Sequence, residues 1–140
     1  MQNNQLKQLI DTSSRIILKV GSSLLINENN NDINYHWLKN FSKEIQSLTD
    51  KKKQIMIVSS GSVALGRKQL NLVKNLSLDE KQAAAAVGQI HLSHAWKEVL
   101  KSFNLESAQI LLAPDDTETR RKHLNACLLY TSPSPRDQLQ

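Results

Sequence analysis

Two nearly unbroken apolar runs stand out in the first half of the chain. Ile16-Ile-Leu-Lys-Val20 is rich in β-branched residues, the pattern of a strand buried on both faces of a parallel sheet, and Lys19 interrupts it. Ile55–Val58 repeats the design without the lysine. Between them Trp37, Leu38, Phe41, Ile45 and Leu48 recur at three- and four-residue spacing, which predicts a helix over Tyr35–Leu48 closed by Asp50 and the run Lys51-Lys52-Lys53. Strand, helix and strand make a βαβ unit, whose crossover is almost always right-handed. Leu24–Asn34 turns polar and Asn-rich after Leu25-Ile26 and reads as a loop or loose hairpin. Residues 1–14 read as a frayed or short helical leader, with a small apolar face at Leu6, Leu9 and Ile10.

In the second half, Ser62–Leu70 reads as a helix and Asn71–Ser77 as a linker. Ser77-Leu-Asp-Glu80 is a capping-box pattern that opens a helix running through an alanine run to about Lys101. Gly88 falls inside that helix, where glycine costs about 1 kcal/mol relative to alanine, so close packing or a ligand is expected beside it. Ala108–Ala113 is a third strand-like run, ended by Pro114. Asp115-Asp-Thr-Glu118 resembles a helix start, and Thr117–Ala126 continues it as a basic helix with Arg120, Arg121 and Lys122. The acidic pair fits capping better than a metal.

Both apolar strands end in small polar residues, which suggests one ligand-holding edge. Gly21-Ser22-Ser23 follows the first. Glycine lets the backbone approach a ligand, and successive N–H groups there can cradle phosphate oxygens; most such triplets are plain turns, and this one lacks the Gly-Lys-Ser/Thr ending of a Walker A loop. Ser59-Ser60-Gly61 follows the second strand. Ligands of open α/β sheets bind at the carboxyl ends of strands, and the next helix start offers N–H groups to an anion. Ser60 and Gly61 are therefore candidates for holding a carboxylate or phosphate, with capping of the helix by Ser59 or Ser60 as the plainer alternative. A lysine within a strand needs either a partner or a route to water along its own stem; spacing leaves both open for Lys19. His91 and His94 lie one turn apart without a third ligand, a surface pair rather than a metal site.

Composition changes little. The chain of 140 residues is 39% hydrophobic and 22% charged, with 18 Lys and Arg against 13 Asp and Glu and a net charge of +5. No Arg-rich or aromatic-interleaved stretch accompanies the charge, so solvated lysine faces explain it better than nucleic acid. The N-terminus lacks a basic-then-apolar signal pattern, and no apolar run approaches the roughly 20 residues of a membrane span. One cysteine, Cys127, makes no internal disulfide. A cytoplasmic protein with no membrane partner is expected.

From Cys127 the character changes. Cys127-Leu-Leu-Tyr-Thr-Ser-Pro-Ser-Pro-Arg-Asp137 matches, over all eleven residues, the in-frame translation of an adapter used in transposase-based sequencing libraries. Residues 127–140 are read as a non-native tail, with a Pro/Ser-rich disordered tail as the alternative.

Lys19-Val-Gly-Ser-Ser, Val58-Ser-Ser-Gly-Ser-Val-Ala-Leu-Gly66, Lys81-Gln-Ala-Ala-Ala-Ala-Val-Gly-Gln89, Gln109-Ile-Leu-Leu and Leu124-Asn-Ala126 occur in that order. Together they resemble the amino acid kinase family, and within it the glutamate kinases; the first motif is shared across the wider family, and the second joined to the third is more specific. The resemblance covers 15–126, read as the N-terminal part of an amino acid kinase domain. It implies an α/β fold, a three-layer αβα sandwich with a mainly parallel sheet, here truncated. It implies phosphoryl transfer from ATP, carrying Mg²⁺, to the side-chain carboxylate of L-glutamate, the first step of proline biosynthesis. By the same resemblance Lys19 contacts the ATP phosphates as the catalytic lysine, Gly21, Ser22 and Ser23 form the phosphate-facing loop, and Ser60 with the adjoining Gly61 binds glutamate. The nucleotide-base pocket, an organising aspartate, a second lysine and further glutamate ligands of that family lie beyond this chain, so the 140-residue polypeptide itself is expected to be inactive and aggregation-prone, and the full-length protein a homo-oligomer. The kinase part of a bifunctional pyrroline-5-carboxylate synthase, a relative acting on aspartate, carbamate or a nucleotide, and a non-catalytic basic nucleic-acid-binding module are the alternatives.

Overall fold

The computed structural model describes residues 2–27, 29–73 and 75–111. The chain separates into two units, Met1–Ser107 and Ala108–Gln140. The first contains, in order, α1 (Gln2–Thr12), β1 (Arg15–Val20), α2 (Ser22–Leu25), β2 (Ile26–Asn27), β3 (Asp32–Ile33), α3 (Tyr35–Asp50), β4 (Gln54–Ser59), α4 (Ser62–Gln69) and α5 (Leu78–Ser102). In the second unit Ala108–Leu111 carry no strand. The third strand expected over Ala108–Ala113 is therefore not formed at its described residues: an apolar run becomes a strand only where a neighbour completes its hydrogen-bond ladder, and none does among the described residues. Leu112 and Ala113, the helix expected over Thr117–Ala126 and the tail 127–140 lie outside the described residues.

β1 and β4 pair in parallel, with Ile16 opposite Ile55, Leu18 opposite Ile57, Lys19 opposite Val58 and Val20 opposite Ser59. Alternation sends Ile16, Leu18 and Val20 with Ile55, Ile57 and Ser59 to one face, and Arg15, Ile17 and Lys19 with Gln54, Met56 and Val58 to the other. The inner face is packed: Val20 is 2% exposed and joins Leu25, Ile26, Ile33, Leu38, Leu65, Leu92, Ala95 and Val99 in the core, flanked by Ile57 and Trp96. The outer face is open, with Ile17 66% and Val58 48% exposed, and Arg15 Nε donates to Gln54 Oε1 across it at 2.6 Å. Burial on both faces, expected from the apolar runs, is corrected to burial on one: the helices α3 and α5 cover the inner side, and no described element covers the outer.

The helices form where their patterns place them, and their ends explain themselves. Asn34 caps α3, its Oδ1 accepting from Trp37 N at 3.1 Å. Ser77 and Glu80 close a reciprocal capping box on α5, with bonds of 2.8 and 3.3 Å. The lysine turn after α3 places Lys52 at φ 62°, while Lys53 Nζ donates to the carbonyls of Asp11 and Ser13. The stretch read as a loop or loose hairpin holds a hairpin, with a buried helical turn before it. Leu25 is fully buried on the single turn α2, and Ile26 pairs with Ile33 and Asn27 with Asp32 in an antiparallel hairpin. Asparagines build its turn: Asn27 and Asn30 accept from the N–H groups of Asn29 and Asp32 through their side chains, and Asn31 takes φ 50°.

Gly66 and Gly88 explain the crossing of α4 and α5. A Cβ on Gly66 would lie 1.8 Å from the Ala84 carbonyl oxygen, and one on Gly88 would lie 1.7 Å from the Ser62 oxygen. The two backbones touch at both points. Gly88 therefore serves close packing, one of the two roles its mid-helix position suggested.

Candidate active site

The parallel register brings the carboxyl ends of β1 and β4 side by side. Beyond the last strand pair, Ser60 N donates to the Val20 carbonyl at 3.3 Å, so the ladder continues one rung into the two turns. Gly21 then starts α2, and Gly61 starts α4. Gly61 has φ 126° and ψ −4°, a region where side chains are strained. Its Cβ would also lie 3.0 Å from Ile26 Cγ1 and 3.8 Å from Ser22 Cβ. Glycine at 61 thus satisfies a backbone demand and lets the second turn sit against the first.

Lys19 is exposed on the outer face at the end of β1, and makes no hydrogen bond or ion pair among the described residues. Gly21 is half-buried, and a Cβ there would meet only Ser23 Oγ, at 3.9 Å. Ser22 and Ser23 are exposed. This lysine, an open glycine and two exposed hydroxyl side chains suit the oxygens of a phosphate chain.

Ser59, which ends β4, and Ser60, which follows it, have different surroundings. Ser59 lies on the inner side, where its Oγ accepts from Trp96 Nε1 at 3.1 Å. Ser60 is exposed. The N-cap of α4 is Gly61, which has no side chain to cap with, and among the described residues no side chain accepts from the first turn. The capping alternative for Ser59 and Ser60 is thereby overturned. The first-turn N–H groups of α4 remain available, beside Ser60, with the positive end of the helix dipole behind them. A carboxylate placed at this turn meets a hydroxyl and backbone donors.

The rest of the chemistry expected from the sequence lies elsewhere. His91 pairs with the Gln69 side chain at the far end of α4, and His94 is exposed. Among the described residues no three His, Cys, Asp or Glu side chains gather as metal ligands. Asp32 bonds Lys68, and that contact holds its carboxyl below the usual carboxylate range. The Ser59–Trp96 bond had no local signal, because its partners are 37 residues apart. The glycine crossing had one: Gly66 follows Ser62 by four residues and Gly88 follows Ala84 by four, a small-residue repeat at helical spacing on both partners.

A parallel βαβ unit with two small-residue turns at its carboxyl edge, the first following a strand that carries a lysine, places the chain among the α/β proteins. The chain belongs to the amino acid kinase family, whose model matches residues 14–133. It is 45% identical over 114 residues to a protein of Paramagnetospirillum magneticum named glutamate 5-kinase, covering 81% of this chain and 31% of that protein. Proteins of the same name from Rhodopseudomonas palustris strain BisB5, 49% identical over 113 residues, and from a Ruegeria species, 40% identical over 118 residues, are also similar; the matches cover 80% and 84% of this chain. They cover 30% and 32% of those proteins, so the chain spans about a third of the length of these relatives. Among the described residues no helix is long and apolar enough to cross a membrane.

Proposed function

We propose that the protein carrying this chain is a kinase of the glutamate 5-kinase type, transferring the γ-phosphoryl group of ATP to the side-chain carboxylate of L-glutamate in the cytoplasm as the first step of proline biosynthesis. The observation that carries the reading is the shared edge: Lys19, exposed at the end of β1, with Gly21-Ser22-Ser23 on the turn that follows, and Ser60 beside the Gly61 start of α4 on the turn touching it. In the transfer, an oxygen of the glutamate carboxylate forms a bond to the γ-phosphorus. The bond from that phosphorus to the bridging oxygen breaks, and ADP leaves with the electron pair. No covalent enzyme intermediate is required, so the protein's part is positioning and neutralisation of charge.

Lys19 is assigned to the phosphates, whose charge it balances as the transferred group moves. Gly21, Ser22 and Ser23 are assigned to the phosphate oxygens through backbone N–H and hydroxyl groups. Ser60 and the Gly61 turn are assigned to glutamate. Mg²⁺ accompanies the nucleotide and neutralises phosphate oxygens. The full-length protein is assigned a homo-oligomeric state.

The 140-residue chain alone is expected to turn over no ATP with glutamate, because it holds two turns of the site and not the rest of its relatives' length. Residues 127–140 are assigned to an adapter-derived tail on their sequence match, which reading the gene past the codon for Ala126 would test.

The test is made on the purified full-length protein. An acyl phosphate product is trapped by hydroxylamine, so glutamate- and ATP-dependent hydroxamate formation is expected. Equal ATP turnover with and without glutamate would sink the assignment.

A further inference from the structure

The Ser60–Gly61 turn is held from below by a side-chain pair that the proposed reaction does not itself use. Ser59, the last residue of β4, is half-buried and accepts from Trp96 Nε1 of α5 at 3.1 Å. The indole has a fixed seat: it meets Phe41 of α3 edge-on, with centroids 5.9 Å apart at 71°, and Phe41 stacks on Trp37 at 4.8 Å. Trp96 therefore joins both helices of the packed layer to the residue immediately before Ser60. On the other side of the turn, Ser60 N is bound to the Val20 carbonyl. The peptide linking Ser59 to Ser60 is thus tied at both ends, by a side chain and by the backbone ladder.

We infer that Ser59 and Trp96 are positioning residues for substrate recognition: their hydrogen bond sets the height and direction of the Ser60–Gly61 turn, and through it the fit of the substrate carboxylate. The inference rests on the proposed assignment of that turn to glutamate. Neither residue touches substrate. Indole N–H donates only, so this bond has one polarity, and losing either partner leaves the other polar group half-buried without its mate. The turn then gains freedom that substrate must remove on binding. Among the described residues Trp96 makes no hydrogen bond to the phosphate-side turn, so the larger effect falls on the substrate turn.

The experiment compares Ser59→Ala, Trp96→Phe, the double variant and Ser59→Thr in the full-length protein, measuring KM for glutamate, KM for ATP, kcat and Tm. Ser59→Ala and Trp96→Phe should each raise the glutamate KM roughly 2- to 10-fold, the range of one hydrogen bond, and leave the ATP KM in place. The double variant should be no worse than the worse single one, because both remove the same bond. Ser59→Thr keeps the hydroxyl and should restore the wild-type glutamate KM. A fall in Tm with an unchanged glutamate KM, or effects that multiply in the double variant, would overturn the inference. If Trp96→Phe does not fold, the contrast between Ser59→Ala and Ser59→Thr decides the matter. Absence of glutamate-dependent turnover in the wild-type protein would instead bring down the assignment beneath it, so the two failures are distinguishable.

Discussion

Gly88 of α5 lies directly against the carbonyl of Ser62, the first residue of α4, so close that a Cβ on Gly88 would fall 1.7 Å from that oxygen. The long helix thereby sets where α4 begins, and α4 begins at the proposed glutamate turn. Gly88→Ala should destabilise the full-length protein by about 1–3 kcal/mol through overpacking, although helix propensity alone would favour alanine by about 1 kcal/mol. Thermal unfolding measures it, and an unchanged or raised Tm would show that the helices separate at little cost.

Lys19 has no protein partner to lose among the described residues. Lys19→Ala should therefore leave stability within about 0.5 kcal/mol, as surface changes do. Its effect belongs to the reaction. We expect kcat of the full-length protein to fall on the order of 100-fold, the scale for removing one group that stabilises developing charge, with a smaller change in glutamate affinity. Steady-state kinetics at saturating ATP decides, and a variant with normal turnover would refute the role.

Ser60 should behave in the opposite sense. Its side chain is exposed and caps nothing, so Ser60→Ala should raise the glutamate KM by roughly tenfold or more, the range of a hydrogen bond to a charged group. The effect on kcat should be smaller. An equal loss at all glutamate concentrations would move Ser60 from binding to chemistry.

The Asp32–Lys68 pair links the hairpin β2–β3 to α4. Lys68 holds the Asp32 carboxyl below its ordinary value of 3.8. A carboxyl depressed in the folded state contributes stability above its unfolded pKa and loses it as pH falls through the folded value. Asp32→Asn should thus lower stability slightly at pH 7 and make no difference in strong acid, below both values. Both side chains are about half exposed, so the neutral-pH effect should stay under about 1 kcal/mol. Chemical denaturation of wild type and variant across pH 2–7 checks it, and a difference that grows toward acid would contradict the pairing.

Helix starts and the two strand ends were legible because each depends on neighbours in sequence. Ser77 and Glu80 are three residues apart, Asn34 and Trp37 likewise, and a strand-terminal glycine announces itself. Burial of β1 was harder to read. An apolar strand says that it can be covered on both faces, while Ile17 and Val58 show that coverage depends on which elements are present. The burial of Leu25 and Ile26 ahead of the loop or loose hairpin was not legible, because the core they join, including Leu38 and Leu92, comes much later in the chain. Ala108–Leu111 has strand-like composition and no ladder. Composition cannot provide the neighbouring edge. Of the proposed site, the residue types were readable in place; the division of labour between Ser59 and Ser60 waited on Trp96.

The pairing of Lys19 with Val58 and of Val20 with Ser59 also makes β1 a matter of parity. Odd positions from Arg15 to Lys19 face outward and even ones inward. One residue inserted or deleted between Arg15 and Lys19 would exchange the two sets, driving the ammonium toward the core and Val20 into water. Two would restore the alternation but shift the turn along its partner. The strand thus counts its residues, and comparisons or redesigns of this segment can change side chains far more freely than length.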